Sequence, residues 1–166
     1  MSRVIGPTLV CLFAYMASAQ ADAPLPPPAV HRVTSLNGQF MAISDPATGT
    51  SVVKTSSGER LWSLPGWFRS IYISDSGRHL AIEYGGLNLV PLDSTNSLEI
   101  LSFWDSGKKV RSVSLGEIVP DRSILKRTVS HYAWRTSIGV NHRDELVVSR
   151  IDGREFRFDM ATGALR

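Results

Sequence analysis

From Val33 onward the sequence is cut at short intervals by residues that turn a chain, and this leaves room for little except short strands. Phe40-Met41-Ala42-Ile43 runs into Asp45-Pro46-Ala47-Thr48-Gly49, and residues 50–54 run into Ser56-Ser57-Gly58. Arg60-Leu61-Trp62-Ser63-Leu64 is followed by residues 68–73, then Asp75-Ser76-Gly77, then residues 79–84. Gly85-Gly86 reads as a further hairpin turn, leading into residues 87–92. Residues 97–104 and 109–115 flank Asp105-Ser106-Gly107, and residues 145–151 and 155–158 flank Asp152-Gly153. These runs are rich in β-branched and aromatic residues and too short for stable helices, so each predicts a strand of an antiparallel hairpin. Asp-Gly between two such runs is a strong signal, because the tight turn needs φ > 0. The exception is Pro120-Asp121-Arg122-Ser123-Ile124-Leu125-Lys126-Arg127, which predicts one or two helical turns with Pro120 near the start.

Two motifs recur along the chain. Ser35-Leu36-Asn37-Gly38-Gln39-Phe40-Met41-Ala42-Ile43 is matched by Ser74-Asp75-Ser76-Gly77-Arg78-His79-Leu80-Ala81-Ile82 and, more loosely, by Val140-Asn141-His142-Arg143-Asp144-Glu145-Leu146-Val147-Val148. Asp45-Pro46-Ala47-Thr48-Gly49 is echoed by Asp159-Met160-Ala161-Thr162-Gly163 and, in shorter form, by Asp105-Ser106-Gly107. In this second motif the aspartate is expected to accept a bond from a nearby backbone N–H while the glycine supplies the left-handed residue. Such a motif sets hairpin geometry and does not indicate catalysis.

A turn, a strand, a hairpin, a strand ending near Asp, a Thr/Ser-Gly turn and a last strand together resemble a β-propeller blade of the WD-repeat and quinoprotein-like kind. Ser102-Phe103-Trp104-Asp105-Ser106-Gly107-Lys108-Lys109-Val110 and Phe156-Arg157-Phe158-Asp159-Met160-Ala161-Thr162-Gly163 carry the resemblance best. It implies an all-β, antiparallel hairpin meander of about three propeller-like blades over residues 32–166. The Gly-His pair of WD repeats and the quinone-binding residues of quinoproteins are missing, so no cofactor is implied. Propellers usually close with about four to eight blades. Three units would therefore form an open arc, or a ring closed by two chains. The alternative is a compact β-sandwich or small barrel. An outer-membrane barrel is not expected, because its strands run to about ten residues with an alternating lipid face.

The N-terminus sets the compartment. Arg3 is followed by an apolar stretch over residues 4–16, broken only by Gly6-Pro7-Thr8, and then by Ala17-Ser18-Ala19. A positive start, an apolar run and a small-x-small site predict a signal peptide over residues 1–19 and a periplasmic or secreted product. Ala19-Gln20-Ala21 is a second possible cleavage site. The apolar run is shorter than the roughly 20 residues of a spanning helix, so no stable membrane insertion is expected after cleavage. Cys11, the one cysteine, lies in that run, so the processed chain is expected to lack disulfides, thiol nucleophiles and cysteine metal ligands. Bulky Val10 before it argues against a lipoprotein signal. Residues 20–31 hold Pro24-Leu25-Pro26-Pro27-Pro28, which reads as an extended polyproline-II spacer; its other use is as a ligand for a proline-binding groove.

The net charge of +3, from 18 Lys+Arg against 15 Asp+Glu, is too small to point to nucleic acid or anionic lipid. No His-x-His or His-Glu-x-x-His spacing supports a metal, and no Gly-x-Ser-x-Gly or phosphate-cradling loop is present. Asp93-Ser94-Thr95-Asn96-Ser97-Leu98-Glu99 lacks the bend glycine of a calcium loop and reads as a solvated turn. Two aromatic clusters remain as a candidate binding surface. Trp67, Phe68 and Arg69 follow a Pro-Gly turn, and an exposed aromatic pair beside an arginine could take a sugar, peptide or protein; packed inward, the pair would plug adjacent hairpins. His131, Tyr132 and Trp134 follow the irregular segment, where His131 could act as a general base and the aromatics could stack on a ligand; alternatively Trp134 closes the core. The expected function is a non-catalytic exported module that binds or scaffolds an envelope protein or polymer. The second reading is a small exported hydrolase or lyase using His131.

Overall fold

The computed structural model describes residues 24–166, so the signal peptide expected over residues 1–19 lies outside the described residues. The strands are β1 (His31–Thr34), β2 (Phe40–Asp45), β3 (Gly49–Lys54), β4 (Arg60–Leu64), β5 (Ile71–Ile73), β6 (His79–Glu83), β7 (Leu89–Pro91), β8 (Glu99–Asp105), β9 (Lys108–Ser114), β10 (Lys126–Arg127), β11 (His131–Ala133), β12 (Arg135–Val140), β13 (Glu145–Arg150) and β14 (Glu155–Asp159). They pair antiparallel into four sheets, ordered β1-β2-β3-β4, β5-β6-β8-β9, β10-β11-β7 and β12-β13-β14. The fold is the expected all-β antiparallel meander. None of the sheets closes into a barrel, which removes the small-barrel alternative.

Three of the sheets stack as layers, with the β5-β6-β8-β9 sheet in the middle. Its register puts Ile71, Ile73, Leu80 and Ile82 on one face, where they pack with Ala42, Val52 and Leu64 of the first sheet. Tyr72, Ala81, Leu101 and Phe103 point the other way, onto Leu146, Val148, Phe156 and Phe158 of the last sheet. Burial on both faces explains why Leu80-Ala81-Ile82 and Ile100-Leu101-Ser102-Phe103 are buried without a break, and apolar but for Ser102, where a half-buried strand would alternate. The β10-β11-β7 sheet and a single helical turn, α1 (Leu115–Ile118), close the second core through Val90, Trp134, Leu115 and Ile118.

The three copies of the first motif form three turns with one hydrogen-bonded frame. Ser35 N–H donates to Phe40 O and Gly38 N–H to Ser35 O; Ser74 N–H donates to His79 O and Gly77 N–H to Ser74 O. The third turn is one residue tighter, with Asn141 N–H to Glu145 O and Asp144 N–H to Asn141 O. A side-chain oxygen of Ser35, Ser74 or Asn141 accepts the N–H that opens the next strand, at 3.1 Å in each case. The turns also join in a row. Asn37 N–H donates to Asp75 Oδ1 (2.8 Å), Asn37 Nδ2 to Asp75 O (2.7 Å), and Asp75 N–H to Asp144 Oδ1 (2.9 Å). Beneath the row, β5 lies between β1 and β12. Gly77 is fixed by this contact as well as by its φ of 67°, since a Cβ there would lie 2.3 Å from the Phe40 ring.

Two expectations are corrected. Gly85-Gly86 does not close a hairpin: β6 pairs with β8, and β7 leaves the sheet to pair with β11. Glu83 N–H is taken by Ser70 O and Tyr84 N–H by Ile100 O, so no ladder bond is left at the end of β6 for a returning strand. The helical content is also displaced. A short 3-10 turn does form at Arg122–Ile124, with Asp121 Oδ1 accepting Ser123 N–H at 2.9 Å. The α turn, however, comes earlier, where Glu117 accepts the Ser114 N–H at 2.7 Å as one half of a capping box.

Candidate functional site

The corner after β4 is built before its aromatic residues are presented. Gly66 holds φ at 94°, which turns the chain away from β4. Two fully buried hydroxyls then staple the corner to the first sheet. Thr50 Oγ1 donates to Gly66 O at 2.9 Å, while Ser44 Oγ accepts Phe68 N–H at 2.9 Å and donates to Phe68 O at 3.1 Å. His31 Nε2–H donates to the same carbonyl at 2.7 Å. Phe68 packs against the first core, as the inward-plug alternative expects, so it is not part of an exposed aromatic pair. Trp67 and Arg69 stay on the outer side, half-buried, with the Arg69 guanidinium 5.0 Å from the Trp67 ring centroid and His31 edge-on to it at 6.0 Å. Ser44→Ala removes the partner of a Phe68 N–H held at the edge of the core. It is expected to cost about 1–3 kcal/mol, read as a lower urea midpoint.

The partner of this surface is the chain itself. Trp67 Nε1–H donates to Ala29 O at 2.8 Å, and Arg69 Nη2 donates to Pro26 O at 2.8 Å. Residues 24–30 form no ladder and are exposed along their length, and these two bonds fasten them to the corner.

The second cluster divides. Trp134 is fully buried and donates its Nε1–H to Leu87 O at 2.8 Å, so it closes the core and does not belong to a binding surface. Tyr132 packs against the same core, with the Arg122 guanidinium 5.6 Å from its ring centroid. His131 is half-buried on β11, opposite Pro91, and its Nδ1 lies 2.8 Å from Ser130 Oγ. Two carboxylates are buried among the described residues, and both are engaged: Glu145 accepts from Asn141 Nδ2 at 2.9 Å, and Glu83 is held by Arg135 and Tyr72.

That Glu83 group is the main polar feature missed in the sequence. Its carboxylate is fully enclosed, ion-paired to Arg135, and takes the Tyr72 hydroxyl at 3.0 Å, which also lies 2.9 Å from Ser70 Oγ. Glu83 shares the face of Ala81 and Leu101, and an acid on a core-facing position demands a partner. Burial first, and then the negative charge of Glu83, push the Tyr72 phenol up to about 12. The unfolded phenol ionises near pH 10. The unfolded state thus loses its proton first, and the contribution of Tyr72 to stability is present below about pH 10 and lost as pH rises toward 12. Denaturant midpoints measured across that window are expected to fall more steeply for the unaltered protein than for Tyr72→Phe.

A cavity of about 420 Å³ lies between the β1–β2 and β3–β4 turns, lined by Asn37, Gln39, Phe40 and Lys54 among others. A second, of about 210 Å³, opens between the corner after β4 and the β5-β6-β8-β9 sheet, beside Phe68, Glu83, Trp104 and Lys109. Neither is lined by Trp67, His131 or Tyr132. Among the described residues, no three His, Cys, Asp or Glu side chains are grouped to hold a metal ion, and no helix is long and apolar enough to cross a membrane. Comparison with known proteins finds neither a family model nor a curated protein that matches this chain.

Proposed function

We propose that residues 32–166 act as a non-catalytic binding or scaffolding module, exported to the periplasm or beyond, which receives an envelope protein or polymer on the Trp67–Arg69 surface. One observation carries this reading: an indole N–H and a guanidinium, two residues apart on a stapled corner, are aimed at peptide carbonyls. Arginine and tryptophan of this kind dominate binding energy where they sit on a rigid support. The architecture suits the role. The three meanders serve as propeller-like blades in an open arc, a view supported by the joined row of turns and by β5 lying between β1 and β12.

The test is retention of envelope proteins on the immobilised processed chain, residues 20–166. One partner held in stoichiometric amount and lost in Trp67→Ala, with the melting temperature unchanged, is the expected result; His131→Ala should retain it fully. Equal retention by Trp67→Ala, or an empty column, would overturn the reading.

A further inference from the structure

The two carbonyls held at the Trp67 corner belong to Pro26 and Ala29, three residues apart. A polyproline-II helix has about three residues per turn, so carbonyls at this spacing fall on one face of it. Pro24-Leu25-Pro26-Pro27-Pro28 is the segment of the chain best suited to that conformation, because proline fixes φ and removes the N–H that a ladder would use. An indole N–H and an arginine reading successive turns of such a helix, with the arginine stacked on the indole, is the chemistry by which aromatic grooves take proline-rich peptides. We infer that the Trp67–Arg69 surface is a polyproline-II binding site, that residues 24–30 are its resident ligand in cis, and that a proline-rich segment of a different protein displaces them. This rests on the binding-module reading and names its ligand class.

The resident contact is built to yield. Residues 24–30 stay exposed, with Leu25 45% and Val30 48% accessible, so the segment adds little apolar burial to its two hydrogen bonds. It is held because His31 opens β1 directly after it, and so short a tether keeps the local concentration in the millimolar range. A second copy of the chain offers the same segment and no new bonds. Exchange between copies would only add the entropy cost of association. A different proline-rich segment that covers more of the Trp67 ring would gain area and displace the strap.

The experiment measures fluorescence anisotropy of a dye-labelled peptide with the sequence of residues 24–30, titrated with three forms of the processed chain. They are the unaltered chain, a form with Pro26→Gly, Pro27→Gly and Pro28→Gly, and that form with Trp67→Ala added. The triple-glycine form should bind at least about tenfold more tightly than the unaltered chain, because its internal competitor is disabled. Adding Trp67→Ala should abolish binding. Equal melting temperatures for the three forms would show that the domain is intact. No binding to the triple-glycine form, or binding that survives Trp67→Ala, would overturn the site. Self-association of the unaltered chain by sedimentation, reversed by the triple-glycine substitution, would overturn the assignment to a different protein in favour of a second copy. If an envelope partner is retained through Trp67 while the peptide fails to bind, the module reading stands and only the ligand class is wrong.

Discussion

Replacing Glu83 with alanine is expected to destabilise the domain by about 3–5 kcal/mol, read as a large drop in denaturant midpoint. The carboxylate is fully enclosed, and its loss strands two partners. The Arg135 guanidinium, with 11% of its side chain accessible, would keep its charge without a counter-ion, and the Tyr72 hydroxyl would lose an acceptor. The cost of breaking a buried pair lies mostly in that orphaned charge, not in the net attraction it replaces. A paired replacement separates the two terms. Glu83→Leu together with Arg135→Met removes both charges, and is expected to recover most of the loss. If Glu83→Ala alone leaves the unfolding free energy within about 0.5 kcal/mol of the original, the group is not buried as described.

Trp134→Ala is expected to cost a similar amount, about 3–5 kcal/mol, because it empties the largest fully buried side chain from the second core. It also leaves Leu87 O without its indole donor, which loosens the segment between β6 and β7. Trp134→Phe should recover part of the loss by filling part of the volume. The contrast with Trp67 is the informative part. Trp67→Ala removes a half-buried ring from the outer side of a corner, so its effect should appear in binding and leave the unfolding midpoint near that of the original. A reversed pattern would exchange the roles given to the two tryptophans.

What could be read from the sequence was whatever its own neighbours decide. The hairpin motif is one case: Asp45 Oδ1 accepts Ala47 N–H at 2.8 Å, Asp159 Oδ1 accepts Thr162 N–H at 2.9 Å, and Gly49 and Gly163 hold positive φ. The motif at Asp105 behaves differently. That carboxylate is drawn to Arg78 across the strand pair, and the guanidinium bond holds it down at about 2. The parts that stayed hidden depend on residues far apart in the chain. Arg135 meets Glu83 across 52 positions, and Trp67 meets Ala29 across 38. Trp67 and Trp134 each stand next to an aromatic or an arginine, and nothing local distinguishes the exposed one from the buried one. The defection of β7 has the same origin, since a three-residue strand takes its partner from whatever edge the packing offers.

A local signal was nonetheless available for the hydroxyl staple. Ser44 shares the face of Ala42, and Thr50 that of Val52, so two hydroxyls stand on core-facing positions of adjacent strands. Buried hydroxyls need acceptors or donors nearby, and the backbone of the following corner supplies them. The same accounting at Glu83 would have called for a buried cation, though not for Arg135 by name.

The most direct test of a binding role for Trp67 is hydrogen exchange at its indole N–H, followed in the nitrogen-15 spectrum of residues 20–166. Bonded to Ala29 O, this proton should exchange more slowly than a free indole, and replacing Pro26, Pro27 and Pro28 with glycine should speed it toward the free rate while the Trp134 proton stays protected. Exchange at the free rate in the unaltered chain would contradict the account, because the Trp67 corner would then hold no peptide at all.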